Sequence, residues 1–138
     1  MNILFISPNS PFESIGGIER YITNLINYYK GRSECNIFIV LPKKGKSYSE
    51  KQGKVTILFE DALFIPKEIH LQKEITRKAQ LFSKVVTDII KKNNIDIICA
   101  ENFLFGPPAA YILLLNMVAM QQKTPLVLRL HSFATTEL

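Results

Sequence analysis

Ser7-Pro8-Asn9-Ser10-Pro11-Phe12-Glu13-Ser14-Ile15-Gly16-Gly17 joins an apolar run, Ile3-Leu4-Phe5-Ile6, to a segment whose apolar residues recur at helical spacing. A strand, a Pro/Ser-rich loop, paired glycines and a helix start make a turn suited to phosphate. Adjacent glycines let backbone N–H groups approach a ligand with no Cβ in the way. The positive end of the helix then points at that ligand. Arg20, in the first helical turn, is a candidate for an anionic partner or an internal ion pair, while Glu19 reads as a complement to the helix dipole. Glu101-Asn102 offers side chains that hydrogen-bond hydroxyl groups, and is equally ordinary turn chemistry. His131-Ser132 supplies an imidazole and a hydroxyl. His70 fits no pattern and reads as structural.

These groups need a scaffold, and the apolar pattern supplies one. Asn2 to Ser7 reads as a first strand, its Ile3-Leu4-Phe5-Ile6 run continuously apolar as in a strand buried on both faces. Ile18, Ile22, Leu25, Ile26 and Tyr29 mark a helix that Gly31 stops. Asn36 to Leu41 is a second strand, and Pro42-Lys43-Lys44-Gly45-Lys46 breaks it into a polar loop reaching about Gly53. Val55 to Phe59 is a third strand. From about Leu71 to Asn93, Ile75, Ala79, Phe82, Val86 and Ile89 line one face of a long amphipathic helix. Ile95 to Ala100 is a fourth strand, an apolar helix follows Pro107-Pro108 to about Gln122, and Leu126 to Leu130 is a fifth strand.

Alternating strands and helices predict an α/β fold, an open parallel Rossmann-like sheet covered by helices on both faces. Right-handed crossovers give the order 3-2-1-4-5, with a topological switch between strands one and four. Ligands of such sheets bind at the carboxyl ends of the strands, at the switch. The Gly16-Gly17 turn, Glu101-Asn102 and His131-Ser132 all fall on that edge. Lys43, Lys44, Lys46, Lys51 and Lys54 are expected there too, as one basic loop. It reads as solvated, with contact to an acceptor or an anionic membrane surface as the functional alternative. Ala62-Leu63-Phe64-Ile65-Pro66 is unusually apolar for a connection. It either packs on the core or lines an apolar groove.

Composition and motifs exclude other classes. The 138 residues suit one domain, and a net charge of +5 is a mild bias toward anionic partners. No stretch is long and apolar enough to span a bilayer, and the start lacks a secretory pattern, so a cytoplasmic protein is expected. Cys35 and Cys99 are read as buried thiols on strands flanking the first, about 9–10 Å apart, too far to bridge. G-x-G-x-x-G is absent, and no acid follows the second strand at Leu41-Pro42-Lys43, which disfavours nicotinamide and flavin cofactors. There is no P-loop, no carboxylate cluster suited to Mg²⁺, and no response-regulator acidic cluster after the first strand.

Gly16-Gly17-Ile18-Glu19-Arg20-Tyr21, Asp96 through Asn102, and Pro125 through Ser132, each after or at its strand, resemble the amino-terminal domain of GT-B glycosyltransferases. Within these the likeness is to retaining family 4, which includes glycogen-synthase-like and phosphatidylinositol-mannosyltransferase-like enzymes. It covers essentially the whole chain; its elements are individually weak, but their order and spacing are specific. The resemblance implies two Rossmann-like domains across a cleft, with residues 1–138 the acceptor-side domain. The reaction implied is transfer of a sugar from a nucleotide-diphosphate donor to a sugar, lipid or polymer acceptor, in carbohydrate or cell-envelope biosynthesis. Gly16 and Gly17 would lie against the donor diphosphate and His131 near the transferred sugar, as the catalytic residue. Arg20, Glu101, Asn102 and Ser132 would be candidates for sugar or acceptor contact. No metal or cofactor beyond the donor is implied, and no nucleic-acid partner.

The sequence departs from that family in two places. It stops at Thr135-Thr136-Glu137-Leu138, so the donor-binding domain is expected to be missing by truncation, and the chain alone is expected to be inactive. Arg129-Leu130 also precedes His131 where the family has other residues. Two rival readings are a stand-alone acceptor-binding module that pairs with a separate donor-domain chain, and a nucleotide-sugar 2-epimerase with Glu101 as its acid.

Overall fold

The structure, a computed structural model, describes residues 1–12, 16–32, 34–65, 72–101 and 109–129. The chain runs β1 (Asn2–Ile6), α1 (Gly17–Tyr29), β2 (Asn36–Pro42), β3 (Tyr48–Gln52), β4 (Val55–Glu60), a 3₁₀ turn (Asp61–Leu63), α2 (Gln72–Asn93), β5 (Ile97–Glu101), α3 (Ala109–Gln121) and β6 (Leu126–Arg129). One sheet in the order β3-β4-β2-β1-β5-β6 holds all the strands of the described residues. β4, β2, β1, β5 and β6 are mutually parallel, the order and direction the sequence predicts for its five strands.

β3 is the addition. The sequence reads these residues as loop, but they form an antiparallel edge strand on β4, with Tyr48 opposite Phe59 and Gln52 opposite Val55. Tyr48, Ser49, Glu50 and Lys51 are exposed, so neither face is buried and no apolar alternation marks the strand. Its local signal is the turn. Gly53-Lys54 is a two-residue hairpin connection with Gly53 at φ +58, the chemistry such a turn requires.

Two cores flank the sheet. On one face α1 buries Ile22, Leu25 and Ile26 against Phe5, Ile37, Ile39, Leu41, Val55, Ile57 and Phe59. On the other, α2 and α3 cover Leu4, Ile6, Val40, Ile98 and Ala100. Ala62 and Leu63 belong to this second core, and Ile65 packs against it, so the apolar connection after β4 is a core segment over its described residues. The buried Tyr111 hydroxyl of α3 donates to the Ala62 carbonyl at 2.8 Å, which ties the connection to the helix layer. Burial pushes the Tyr111 phenol up to about 12, with the Asp61 carboxylate adding to the effect.

Both longer connections into the parallel strands end their helices in one way. Asn94 (φ 49) and Lys123 (φ 53) take left-handed backbone after α2 and α3. Ile95 N then donates to Ile90 O at 3.2 Å, and Thr124 N to Ala119 O at 2.9 Å. These six-residue bonds satisfy carbonyls that the helix end would leave open, and they aim the chain into β5 and β6. Cys35 and Cys99 are free and only half-buried, more accessible than the sequence suggests. No described helix is long and apolar enough to cross a membrane.

Candidate active site

The loop after β1 is shaped by its own serines. Ser7, fully buried, receives a hydrogen bond from Asn9 N at 3.2 Å and donates to Asn9 O at 2.8 Å. Ser10 Oγ accepts from Phe12 N at 3.3 Å. Such side-chain turns let a Pro/Ser-rich segment change direction without sheet or helix bonds. The loop is anchored to the sheet where Ser7 N donates to Val40 O at 3.1 Å.

The two glycines of the turn meet different surroundings. Gly16 is the N-cap of α1, and a Cβ on it would stand 2.5 Å from Glu19 Oε2. The buried Glu19 carboxylate therefore occupies the space beside Gly16 and complements the positive end of α1. Gly17 is exposed, and nothing lies within 4 Å of where its Cβ would be. Open space at the start of α1 is thus on the Gly17 side. Arg20 is exposed on the first turn, its amide bonded to Gly16 O at 3.1 Å.

The carboxyl ends of β5 and β6 meet α1 next to this turn. Glu101 and Arg129 stand opposite each other in the parallel register. Glu101 is wholly buried, and its Oε1 lies 3.8 Å from Arg129 Nη1, whose side chain is 45 % exposed. Arg129 also donates to the Tyr21 hydroxyl, and its guanidinium carbon sits 4.9 Å from the Tyr21 ring centre. A buried carboxylate needs a cation, and β6 supplies one at the register position that faces it. Burial and then the Glu101 carboxylate push the Tyr21 phenol up, against the opposing pull of Arg129. Burial, with Glu101 next, also raises the Cys99 thiol. Helix α1, β5 and β6 are thereby joined at the edge where β1 and β5 adjoin.

Of the residues the sequence singles out, Gly16, Gly17, Arg20 and Glu101 lie at this edge. Asn102, His131 and Ser132 fall outside the described residues, as does His70. Sequence reasoning missed Tyr21 and left Arg129 unexplained; opposite charges at matched positions of neighbouring parallel strands were the available signal. It also missed an aromatic rim. Tyr48 stacks on the buried Phe59 at 4.7 Å, and Phe12, 55 % exposed, lies 5.7 Å from the same ring.

The basic loop needs a correction. Lys43, Lys44 and Lys46 belong to the turn between β2 and β3 at the carboxyl edge, where Gly45 N donates to Asp61 Oδ1 at 2.6 Å. β3 then carries the chain back, so Lys51 and Lys54 sit at the opposite, amino edge. The five lysines are two groups separated by the length of a strand.

No protein-family model matches the sequence, and no curated protein matches it. Solved structures do. The chain is similar to sucrose-phosphate synthase from Thermosynechococcus elongatus, at 14% identity and a TM-score of 0.62, over 95% of this chain and 33% of that one. It is also similar to the catalytic domain of starch synthase IV from Arabidopsis thaliana, solved with ADP and acarbose, at 13% identity and a TM-score of 0.55, over 95% and 34%. The chain spans about a third of the length of these structures. At such identities the likeness establishes the fold, a mostly parallel α/β layer of the kind found in GT-B glycosyltransferases.

Proposed function

We infer that this chain is the acceptor-side half of a GT-B glycosyltransferase that moves a sugar from a nucleotide-diphosphate donor to a sugar, lipid or polymer acceptor. The observation that carries this reading is the meeting of the glycine turn's helix with the carboxyl ends of β5 and β6, through Tyr21, Arg129 and Glu101, at the switch point of the sheet. Ligands of open α/β sheets bind there. The fold likeness to sucrose-phosphate synthase and starch synthase IV supports the same class. In this reading the donor diphosphate lies against Gly17, because Glu19 fills the space beside Gly16. Backbone N–H groups at the start of α1 would stabilise charge that develops on the departing diphosphate, which is the largest catalytic contribution of such sites. His131 would stand near the transferred sugar, with Arg20, Asn102 and Ser132 near donor or acceptor.

Glu101 takes a different role from a sugar ligand. Its carboxylate is buried beneath Arg129, so it positions the end of β6 and disfavours the epimerase reading, which needs an acid open to substrate. Phe12 and Tyr48, exposed over Phe59 at the carboxyl edge that also carries the lysine turn between β2 and β3, provide an apolar and cationic rim for an acceptor. Peripheral contact with a membrane face through Lys43, Lys44 and Lys46 belongs to the same reading, as do retaining stereochemistry and family 4 membership. The rest of the donor site would be supplied by a second Rossmann-like domain. Saturation-transfer NMR with ADP and with UDP tests the reading. Weak but saturable transfer to wild type and its loss in Gly17→Val, with unchanged thermal stability, is expected. Equal signals from both proteins would contradict it.

A further inference from the structure

The amino edge of the sheet, opposite the candidate active site, carries a cluster of like charge. Lys30, Gly31, Arg32, Lys51, Gly53 and Lys54 line an open depression of about 420 Å³. Two separate segments build it, the end of α1 and the β3–β4 hairpin. They are fastened together by backbone, because Lys54 N donates to the Lys30 carbonyl at 3.2 Å. Gly53 makes this docking feasible. Its φ of +58 is left-handed, and a Cβ there would run into the Lys30 carbonyl oxygen.

Part of the charge has a local explanation. Cations after the last turn of a helix complement its negative end, which accounts for Lys30 and Arg32. Lys30 Nζ also donates to Asn27 Oδ1 at 3.2 Å. Arg32 lies 3.7 Å from Glu34 and sits over the Tyr28 ring at 3.9 Å. Lys51 and Lys54 are a different matter. They come from the hairpin, both are exposed, and no ion pair of the described residues involves either. The residues that line the depression include four cations and no carboxylate, and a helix end worth about half a charge with Glu34 paired to Arg32 does not balance them. Such an excess in a concavity raises the local potential and favours an anion there.

We propose that this depression is a second, phosphate-recognising site, taking a compact multiply charged phosphate group that is either free or borne on a lipid headgroup. Lysine ammonium groups act on phosphate as point charges from several sides, and the Arg32 guanidinium adds a planar donor fork. Gly31, with nothing within 4 Å of where its Cβ would stand, leaves the floor open to an anion. The site faces away from the carboxyl edge and does not depend on the glycosyltransferase reading.

The test is a titration of the 138-residue chain followed by ¹H–¹⁵N NMR, with inorganic pyrophosphate in one arm. Phosphatidic acid and phosphatidylcholine vesicles form the other, read by co-sedimentation. Saturable shifts at the Gly31 and Gly53 amides, weakened at least tenfold in Lys51→Gln/Lys54→Gln and left unchanged in Lys43→Gln/Lys44→Gln, are expected for a free phosphate. Sedimentation with the phosphatidic acid vesicles alone, lost in the same double variant, would assign the headgroup source. Both responses weaken as salt rises. Absence of binding in both arms, shifts confined to Gly16 and Gly17, or a response that the double variant leaves intact would each overturn the proposal.

Discussion

The two edges of this sheet use charge in opposite ways. At the carboxyl edge, opposite charges are brought together and one of them is withdrawn from water: Glu101 is buried under Arg129, which leans on Tyr21. At the amino edge, like charges are brought together and left in water: Lys51 and Lys54 beside Lys30 and Arg32. The first arrangement pairs opposite charges within the fold and ties three elements together. The second leaves a positive concavity that favours an anion. Charge neutralised inside the fold is therefore a mark of scaffolding here, and charge left uncompensated in a concavity is a mark of recognition.

Substitutions at each edge should break this contrast in a graded way. Arg129→Met strands the buried Glu101 carboxylate and should cost about 3 kcal/mol in denaturant unfolding, the low end for breaking a buried pair because Arg129 is half exposed. Glu101→Gln should cost less, about 1 kcal/mol, since water can reach the guanidinium it leaves behind. Equal losses in the two variants would remove the asymmetry on which the scaffolding role rests. At the other edge, Gly53→Ala should cost about 2 kcal/mol through left-handed strain and collision with the Lys30 carbonyl. Lys51→Gln and Lys54→Gln should stay within about 0.5 kcal/mol of wild type, as exposed changes do.

A smaller effect depends on pH. Burial, reinforced by Asp61, raises the Glu60 carboxyl above its ordinary value, against a hydrogen bond from Ser47. A raised carboxyl makes the folded state hold its proton more tightly than the unfolded chain does. Stability should therefore fall as pH rises from the unfolded value of 4.5 through the higher folded one, and then level off. Glu60→Gln should be more stable than wild type at neutral pH, with the gain gone below that window. A gain that persists in acid would contradict this.

The strands buried on both faces were legible because continuous apolar runs have few other homes, and the same holds for α2 with its apolar stripe. β3 was not legible from hydropathy, because an exposed edge strand such as Tyr48-Ser49-Glu50-Lys51 buries neither face. That one omission moved Lys51 and Lys54 to the wrong edge. The glycine turn was legible as a site, but the unlike surroundings of Gly16 and Gly17 depend on where the Glu19 side chain folds. The Glu101–Arg129 pair left one signal in the sequence, opposite charges at the ends of neighbouring strands, and only the register of β5 against β6 turns it into a contact. His131, Ser132 and Asn102 stand as they do in the sequence, outside the described residues.

The central claim is that the carboxyl edge around Gly17 receives the diphosphate of a nucleotide-sugar. The most direct measurement is residue-by-residue mapping of ADP and UDP binding by ¹H–¹⁵N NMR on wild type and Gly17→Val. The account predicts shifts clustered on Gly17, Arg20, Tyr21 and Arg129 that vanish in the variant. Shifts clustered elsewhere, or unchanged in Gly17→Val, would contradict it.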